Sequence, residues 1–120
     1  MTGNVDQAGR ALLGLELKNP VSTESRELEL WIDTAFDGDI ALPRDLIQAL
    51  GLVPAARVLA ILADGSEAEL VTFTAEINWF GERRRVEIVA KNGKTPLLGV
   101  ALMLGHKLTI DYKSFKLKLV

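Results

Sequence analysis

The chain has 120 residues, of which 48% are hydrophobic and 25% are charged, with 10 glycines and 4 prolines. This length and composition are typical of one compact globular domain and exclude intrinsic disorder as the main state. The formal net charge of −2 provides no broad electrostatic basis for binding a polyanion, so we expect neither nucleic acid nor a membrane as a partner.

The residue types that the chain lacks exclude much of catalytic chemistry. There is no cysteine, and His106 is the only histidine. Disulfides, thiol nucleophiles and zinc sites built from cysteine or several histidines are therefore excluded. Asp33, Asp37 and Asp39 do not have the spacing of an EF-hand calcium loop. We expect no metal ion and no other cofactor.

The first ten residues are polar and do not have the charged-then-apolar order of a secretory signal. No apolar run approaches the roughly 18 residues of a membrane-spanning helix. We therefore expect a cytoplasmic protein with a disordered N-terminal tail, residues 1–10, and a single domain, residues 11–120.

Alternation of apolar and polar residues, which is the pattern of strands with one buried face, runs through most of the chain. In the clearest example, Glu27–Asp33, the residues at even positions are apolar and Trp31 points to the opposite face. The other predicted strands are Ala11–Leu17, Arg57–Ala63, Glu69–Phe80, Arg83–Ala90, Lys107–Tyr112 and Phe115–Val120. The sequence therefore predicts an all-β protein.

Two segments depart from this alternation and predict short helices. Pro43–Leu50 begins with a proline suited to a first turn, has apolar residues at helical spacing and is followed by Gly51. Leu97–Leu104 is apolar on all sides, which indicates a short buried helix after an extended Leu-Leu-Gly turn.

Two dipeptides predict tight turns. Asp64-Gly65 and Asn92-Gly93 both tolerate the positive φ angles of hairpin turns. We therefore expect each to connect two antiparallel strands.

Two segments that lie far apart in the sequence have patterns that indicate catalytic chemistry. A hydrophobic strand leads directly into Asp33 and Thr34, which places a carboxylate and a hydroxyl at the end of a packed sheet, a location that suits a general acid or base. Later, Leu97-Leu98-Gly99 ends on a glycine, which lets another backbone pass closely. Together the two segments resemble the retroviral-type aspartic proteases, the retropepsins, and in particular their short bacterial relatives.

The resemblance extends over roughly residues 11–112 and its motifs occur in the family's order. It implies an all-β fold with a closed β-barrel, a flap hairpin and two short helices, acting as a homodimer. Leu97, Leu98 and Gly99 match the hydrophobic segment that crosses beneath the catalytic loop in this family. The flap, which closes over the substrate, corresponds to the hairpin tip formed by Ala63, Asp64, Gly65 and Ser66.

The resemblance also implies a mechanism, with Asp33 as the catalytic residue. Because the chain has one such motif, the second carboxylate would come from Asp33 of a second subunit, and the pair would activate a water that hydrolyses a peptide or protein substrate. Thr34 would hold the two loops together across the dimer. Ala35 stands where the family has a glycine. A retropepsin-like dimer that binds a peptide or protein without cleaving it therefore remains an alternative.

A weaker hypothesis comes from residues 40–58, where a strand, a short helix started by Pro43 and a Leu-Gly-Leu run precede another strand. This order resembles AbrB-type DNA-binding antitoxins and would imply a dimeric transcription regulator. The segment offers mainly Arg44 and Arg57 for contacts with phosphate, and it leaves the segment around Asp33 unexplained.

Overall fold

The computed structural model describes all residues, 1–120, and consists mainly of β-strands. The strands are β1 (Thr2–Val5), β2 (Ala11–Lys18), β3 (Ser25–Ile32), β4 (Ile40–Pro43), β5 (Pro54–Ile61), β6 (Glu67–Trp79), β7 (Glu82–Lys91), β8 (Leu97–Leu98), β9 (Leu108–Asp111) and β10 (Lys116–Leu119). The helices are α1 (Arg44–Ala49) and α2 (Val100–Met103). The all-β prediction is therefore confirmed.

All ten strands belong to one sheet, in the order β5-β6-β7-β4-β8-β3-β2-β1-β10-β9. One further pair, Lys18 of β2 with Glu76 of β6, brings the sheet back onto itself. The six strands β2, β3, β8, β4, β7 and β6 thus form a ring that a single residue pair closes, while β5 and β9 each keep one free edge. The closed barrel that the resemblance implied is therefore realised only in part.

The hydrophobic core lies against the inner face of this curled sheet. Its largest fully buried side chains are Leu13, Leu17, Leu30, Ile40, Leu42, Leu50, Ile77, Ile88, Leu98, Leu102, Leu117 and Leu119. Burying one such aliphatic side chain stabilises the fold by about 1.5–3 kcal/mol. In β3, Leu30 and Ile32 are buried while Trp31 is 40% exposed, as the alternation predicts. The core therefore holds the end of β3 firmly in place.

The prediction that residues 1–10 form a disordered tail is wrong. Thr2–Val5 form β1, which pairs antiparallel with β2 and β10, and Val5 is buried. In the next turn the carboxylate of Asp6 accepts hydrogen bonds from two backbone amides and from the Arg10 side chain. Composition does not predict this strand, because it contributes few apolar side chains to the core and is held largely by main-chain hydrogen bonds.

The two predicted hairpin turns have different outcomes. Asp64-Gly65 connects the antiparallel strands β5 and β6, and Gly65 has a φ of 83°. The prediction for Asn92-Gly93 is wrong, because β7 does not pair with the strand that follows it: β4 lies between β7 and β8 in the sheet. The alternation does not predict β4 either, because all four of its residues are buried.

Both predicted helices are confirmed, with six residues in α1 and four in α2, where Leu97–Leu98 of the sequence pattern form β8 instead. Pro43 occupies the N-cap of α1, and Gly51 after its end has a φ of 65°. The helix α2 buries Leu102 and Met103. Neither helix has the length needed to cross a membrane. The strands on either side of α1 are both members of the ten-stranded sheet, so residues 40–58 do not form a separate DNA-binding unit.

Candidate active site

Asp33 lies at the point where the chain leaves β3. Its amide donates a hydrogen bond of 2.9 Å to the carbonyl of Leu98, and the amide of Trp31 donates one of 2.9 Å to the carbonyl of Pro96. The strands β3 and β8 run parallel here, with Ile32 opposite Leu98. The two segments that the sequence analysis singled out are therefore adjacent in the structure.

The loop that begins at Asp33 is supported by the chain that follows β8. The amide of Gly99 donates a hydrogen bond of 2.8 Å to the carbonyl of Asp39, and the amide of Val100 donates one of 2.8 Å to the carbonyl of Phe36. Since β8 also pairs with β4 on its other side, this segment is fixed on both edges. The position of the loop thus depends on main-chain contacts with residues 98–100.

Gly99 is required for space. A Cβ atom there would lie within 3 Å of both the carbonyl of Gly38 and the ring of Phe36. Its φ of −97° is accessible to any residue. A Cβ on Gly38 would likewise lie 2.6 Å from the Phe36 ring. The second motif therefore ends in glycine because the loop after Asp33 passes directly over it.

Asp33 is half-buried, and its carboxylate makes one hydrogen bond within the chain. Its Oδ1 atom accepts the amide proton of Ala35 at 2.9 Å, whereas its Oδ2 atom has no hydrogen-bond donor. The neighbouring Thr34 is exposed. The second carboxylate oxygen is therefore available to a water molecule or to another chain.

Ala35 replaces the motif glycine without straining the backbone. The non-glycine residues with positive φ are Phe80 and Phe115, so Ala35 does not occupy the conformation that favours glycine. Its side chain is exposed. Within one subunit, this position accepts alanine as readily as glycine.

The predicted flap residues form the tip of the β5–β6 hairpin, and all four are exposed. The Oδ1 atom of Asp64 accepts hydrogen bonds from the Ser66 hydroxyl at 2.5 Å and from the Ser66 amide at 2.9 Å. The hydroxyl and then the amide of Ser66 hold the pKa of Asp64 below its usual 3.8. The hydrogen bonds of the tip all remain inside the hairpin, and none joins it to the loop at Asp33.

Two residues that the sequence analysis did not assign to the site help to hold the loop. The carboxylate of Asp39 accepts the amide proton of Glu87 in β7 at 2.9 Å, while its carbonyl accepts that of Gly99. The ring of Phe36 covers Gly38 and Gly99. The turn-forming run Asp37-Gly38-Asp39 indicates a loop, but nothing in it indicates these distant partners.

A cavity of about 880 Å³ lies beside this loop. It is bordered by the loop, α1, β7 and the β5–β6 hairpin and is open to solvent on one side. Its lining includes Phe36, Asp37, Arg44, Ile47, Leu52, Val58, Leu59, Glu69, Leu70, Phe73, Glu87 and Val89. Cavities of this size with mainly apolar walls are typical of ligand sites. On the hairpin, Leu59 and Ile61 are 74% and 79% exposed, which leaves apolar surface available for contact with another molecule.

The fold matches one described for an aspartic protease. The chain is similar to a solved structure of a retropepsin-like aspartic protease from Rickettsia conorii, with 18% sequence identity and a TM-score of 0.59. The similarity covers 99% of this chain and 88% of that one. No protein-family model and no curated protein matches the chain. The chain therefore has a retropepsin-like fold, which agrees with the resemblance in its motifs.

Proposed function

We propose that the protein is an aspartic endopeptidase that acts as a homodimer, with Asp33 of each subunit forming the catalytic pair. The observation that carries the proposal is the hydrogen bond from Asp33 to Leu98, which joins the two motifs at the end of β3 within a retropepsin-like fold. The Oδ2 atom of Asp33, which accepts no hydrogen bond from its own chain, supports the proposal further.

The need for a dimer follows from the chemistry. Hydrolysis of a peptide bond requires one group that takes a proton from water and another that gives a proton to the carbonyl oxygen. The chain supplies one carboxylate of this kind, and a second copy related by a twofold axis would supply the other. Two carboxylates this close do not both ionise easily, so the pair shares one proton.

In the proposed reaction, the ionised Asp33 takes a proton from a water molecule, whose oxygen attacks the peptide carbonyl carbon. The protonated Asp33 of the other subunit gives its proton to the carbonyl oxygen, which produces a tetrahedral intermediate. The bond from carbon to nitrogen then breaks as the Asp33 that took the proton from water gives it to the nitrogen, while a hydroxyl of the intermediate returns a proton to the other Asp33, and a carboxylic acid and an amine are released. Thr34 of each subunit holds the two loops together.

The β5–β6 hairpin is proposed to close over an extended peptide. Its exposed tip has no hydrogen bond to the loop at Asp33, and its apolar side chains border the cavity. Closure would exclude water from the reaction and add main-chain hydrogen bonds to the substrate. This arrangement favours a peptide or protein substrate.

Ala35 favours a second candidate function, a dimer that binds a peptide or protein without cleaving it. The amide of Ala35 contacts the Asp33 carboxylate, so its extra methyl group lies next to the proposed reaction centre. The methyl group is exposed in one subunit, but a dimer closed around a peptide would pack this site, where a small clash costs about 1–3 kcal/mol, enough to weaken the binding of a substrate.

The experiment that tests the proposal is mass spectrometry of a diverse peptide mixture after incubation with the purified protein, from about pH 4 to 7. The parent protein is expected to cut peptides, and a folded, dimeric Asp33→Asn variant is expected to cut none. Cuts that persist in Asp33→Asn would overturn the assignment of this residue. A dimeric parent that binds peptides without cutting them would establish the second candidate.

A further inference from the structure

The cavity beside the loop has an uneven distribution of charge. Its lining contains Asp37 and Glu87 at the end formed by the loop, where the Glu87 amide is bonded to the Asp39 carboxylate. Arg44 lines the cavity at the start of α1 and donates a hydrogen bond of 2.7 Å to Asn92. Asp37 and Glu87 therefore make the end at the loop acidic, and Arg44 makes the end at α1 basic, whereas Asp33 itself is not part of the lining.

The two carboxylates at the acidic end are unpaired. The ion pairs of the chain involve other residues, and among them Arg57 lies 3.6 Å from Glu69, the third carboxylate of the lining. Asp37 and Glu87 are both exposed and have no cationic group within 4.0 Å. A cationic side chain of a bound peptide would therefore be attracted to this end.

The walls next to the acidic end suit a large apolar side chain. Ile47 and Leu52 are buried, and Phe73 and Val89 are half-buried in the lining. Val89 and Glu87 lie two residues apart in β7, and the buried Ile88 between them points to the opposite face. An extended peptide repeats its side chains on one face at the same spacing, roughly 6.8 Å.

We propose that Asp37 and Glu87 are specificity-determining residues, which select a substrate carrying Lys or Arg two positions from a large apolar residue that fills the cavity. In this peptide, the basic residue lies between the scissile bond and the apolar residue. The inference rests on the proposed function, because it takes the cavity as the site of the bound peptide.

The test compares two synthetic peptides that differ only in Lys or norleucine at this position, two residues from a Phe. Cleavage by the parent protein gives the ratio of the two kcat/KM values, and fluorescence anisotropy with Asp33→Asn gives the ratio of the two Kd values. Because both carboxylates are exposed, we expect roughly a threefold to tenfold preference for the Lys peptide at low salt, and a smaller preference at high salt.

The double substitution Asp37→Asn and Glu87→Gln is expected to abolish this preference. The matched control is Glu82→Gln, which removes a carboxylate from the start of β7, away from the cavity, and is expected to keep the preference.

Cleavage without a preference for Lys, or a preference that survives the double substitution, would overturn the inference alone. Selective binding of the Lys peptide without cleavage would overturn the proposed catalysis and support the inference. Failure of both peptides to bind, while the parent protein cuts other peptides of the diverse mixture, would overturn the inference alone.

Discussion

The amide nitrogen of Asp33 lies 2.9 Å from the carbonyl oxygen of Leu98. This hydrogen bond continues the parallel pairing of β3 with the two-residue strand β8, and the chain then passes beneath the loop at Gly99. The position of the proposed catalytic residue therefore depends on a short strand and on one glycine without a side chain.

Gly99→Ala is expected to lower the free energy of unfolding by about 1–3 kcal/mol or more, because the added methyl group would collide with a backbone carbonyl and the Phe36 ring. The measurement is urea unfolding. The matched control is Gly14→Ala in β2, where a Cβ atom meets nothing within 4 Å. We expect this control to be as stable as the parent or slightly more stable. Equal stability of the two variants would contradict the proposed close approach.

Ala35→Gly is expected to change the free energy of unfolding by no more than about 1 kcal/mol, because position 35 is exposed and its φ is not positive. If the parent protein is an active protease, kcat/KM for a cleaved peptide should change by less than about tenfold. Peptide cleavage by Ala35→Gly but not by the parent would show instead that the alanine prevents cleavage in the parent protein.

Removal of residues 1–5 is expected to destabilise the protein by at least about 2 kcal/mol, because β10 loses β1, one of its two neighbouring strands, and the buried Val5 is lost. Thermal unfolding of the shortened protein measures this directly. An unchanged melting temperature would show that these residues behave as the disordered tail that the composition suggests.

The pKa of Asp64 is lowered by the Ser66 hydroxyl and amide, so its carboxylate stabilises the hairpin tip when charged. For a carboxylate with a lowered pKa in the folded state, this stabilisation is present above the usual value of 3.8 and is lost as the pH falls through the folded value. Carboxyl NMR titration should show a pKa below 3.8 in the parent and a higher one in Ser66→Ala. A pKa at or above 3.8 in the parent would contradict the hydrogen bonds at the tip.

Much of the fold can be predicted from the sequence, because most strands have one solvent-exposed face and therefore alternate apolar and polar residues. In β3 this alternation predicts which residues are buried and that Asp33 lies at the end of the strand. It cannot predict β4, which is buried throughout, or β1, which is held largely by main-chain bonds to β10. Nor does local turn chemistry reveal that β4 separates β7 from β8, since that order is set by long-range pairing.

The candidate site is predictable only where a local motif exists. Asp33 and Gly99 are recognised from their flanking residues, and their proximity is implied by a resemblance rather than by periodicity. The roles of Asp39 and Glu87 depend on contacts between distant segments, which no local pattern in either segment records. The apolar cavity is likewise formed by elements that are far apart in the chain.

In the proposed homodimer, one active site requires Asp33 from two subunits. The most direct test is to unfold equal amounts of the parent and Asp33→Asn together, refold them, and measure peptide cleavage per molecule of parent protein. With random pairing, half of the parent subunits join an inactive mixed dimer, so the activity per parent molecule should fall to about half. A Glu24→Gln partner, changed at an exposed loop position, should cause no such loss. Unchanged activity per parent molecule in the mixture with Asp33→Asn would contradict a shared site and indicate that each subunit acts alone.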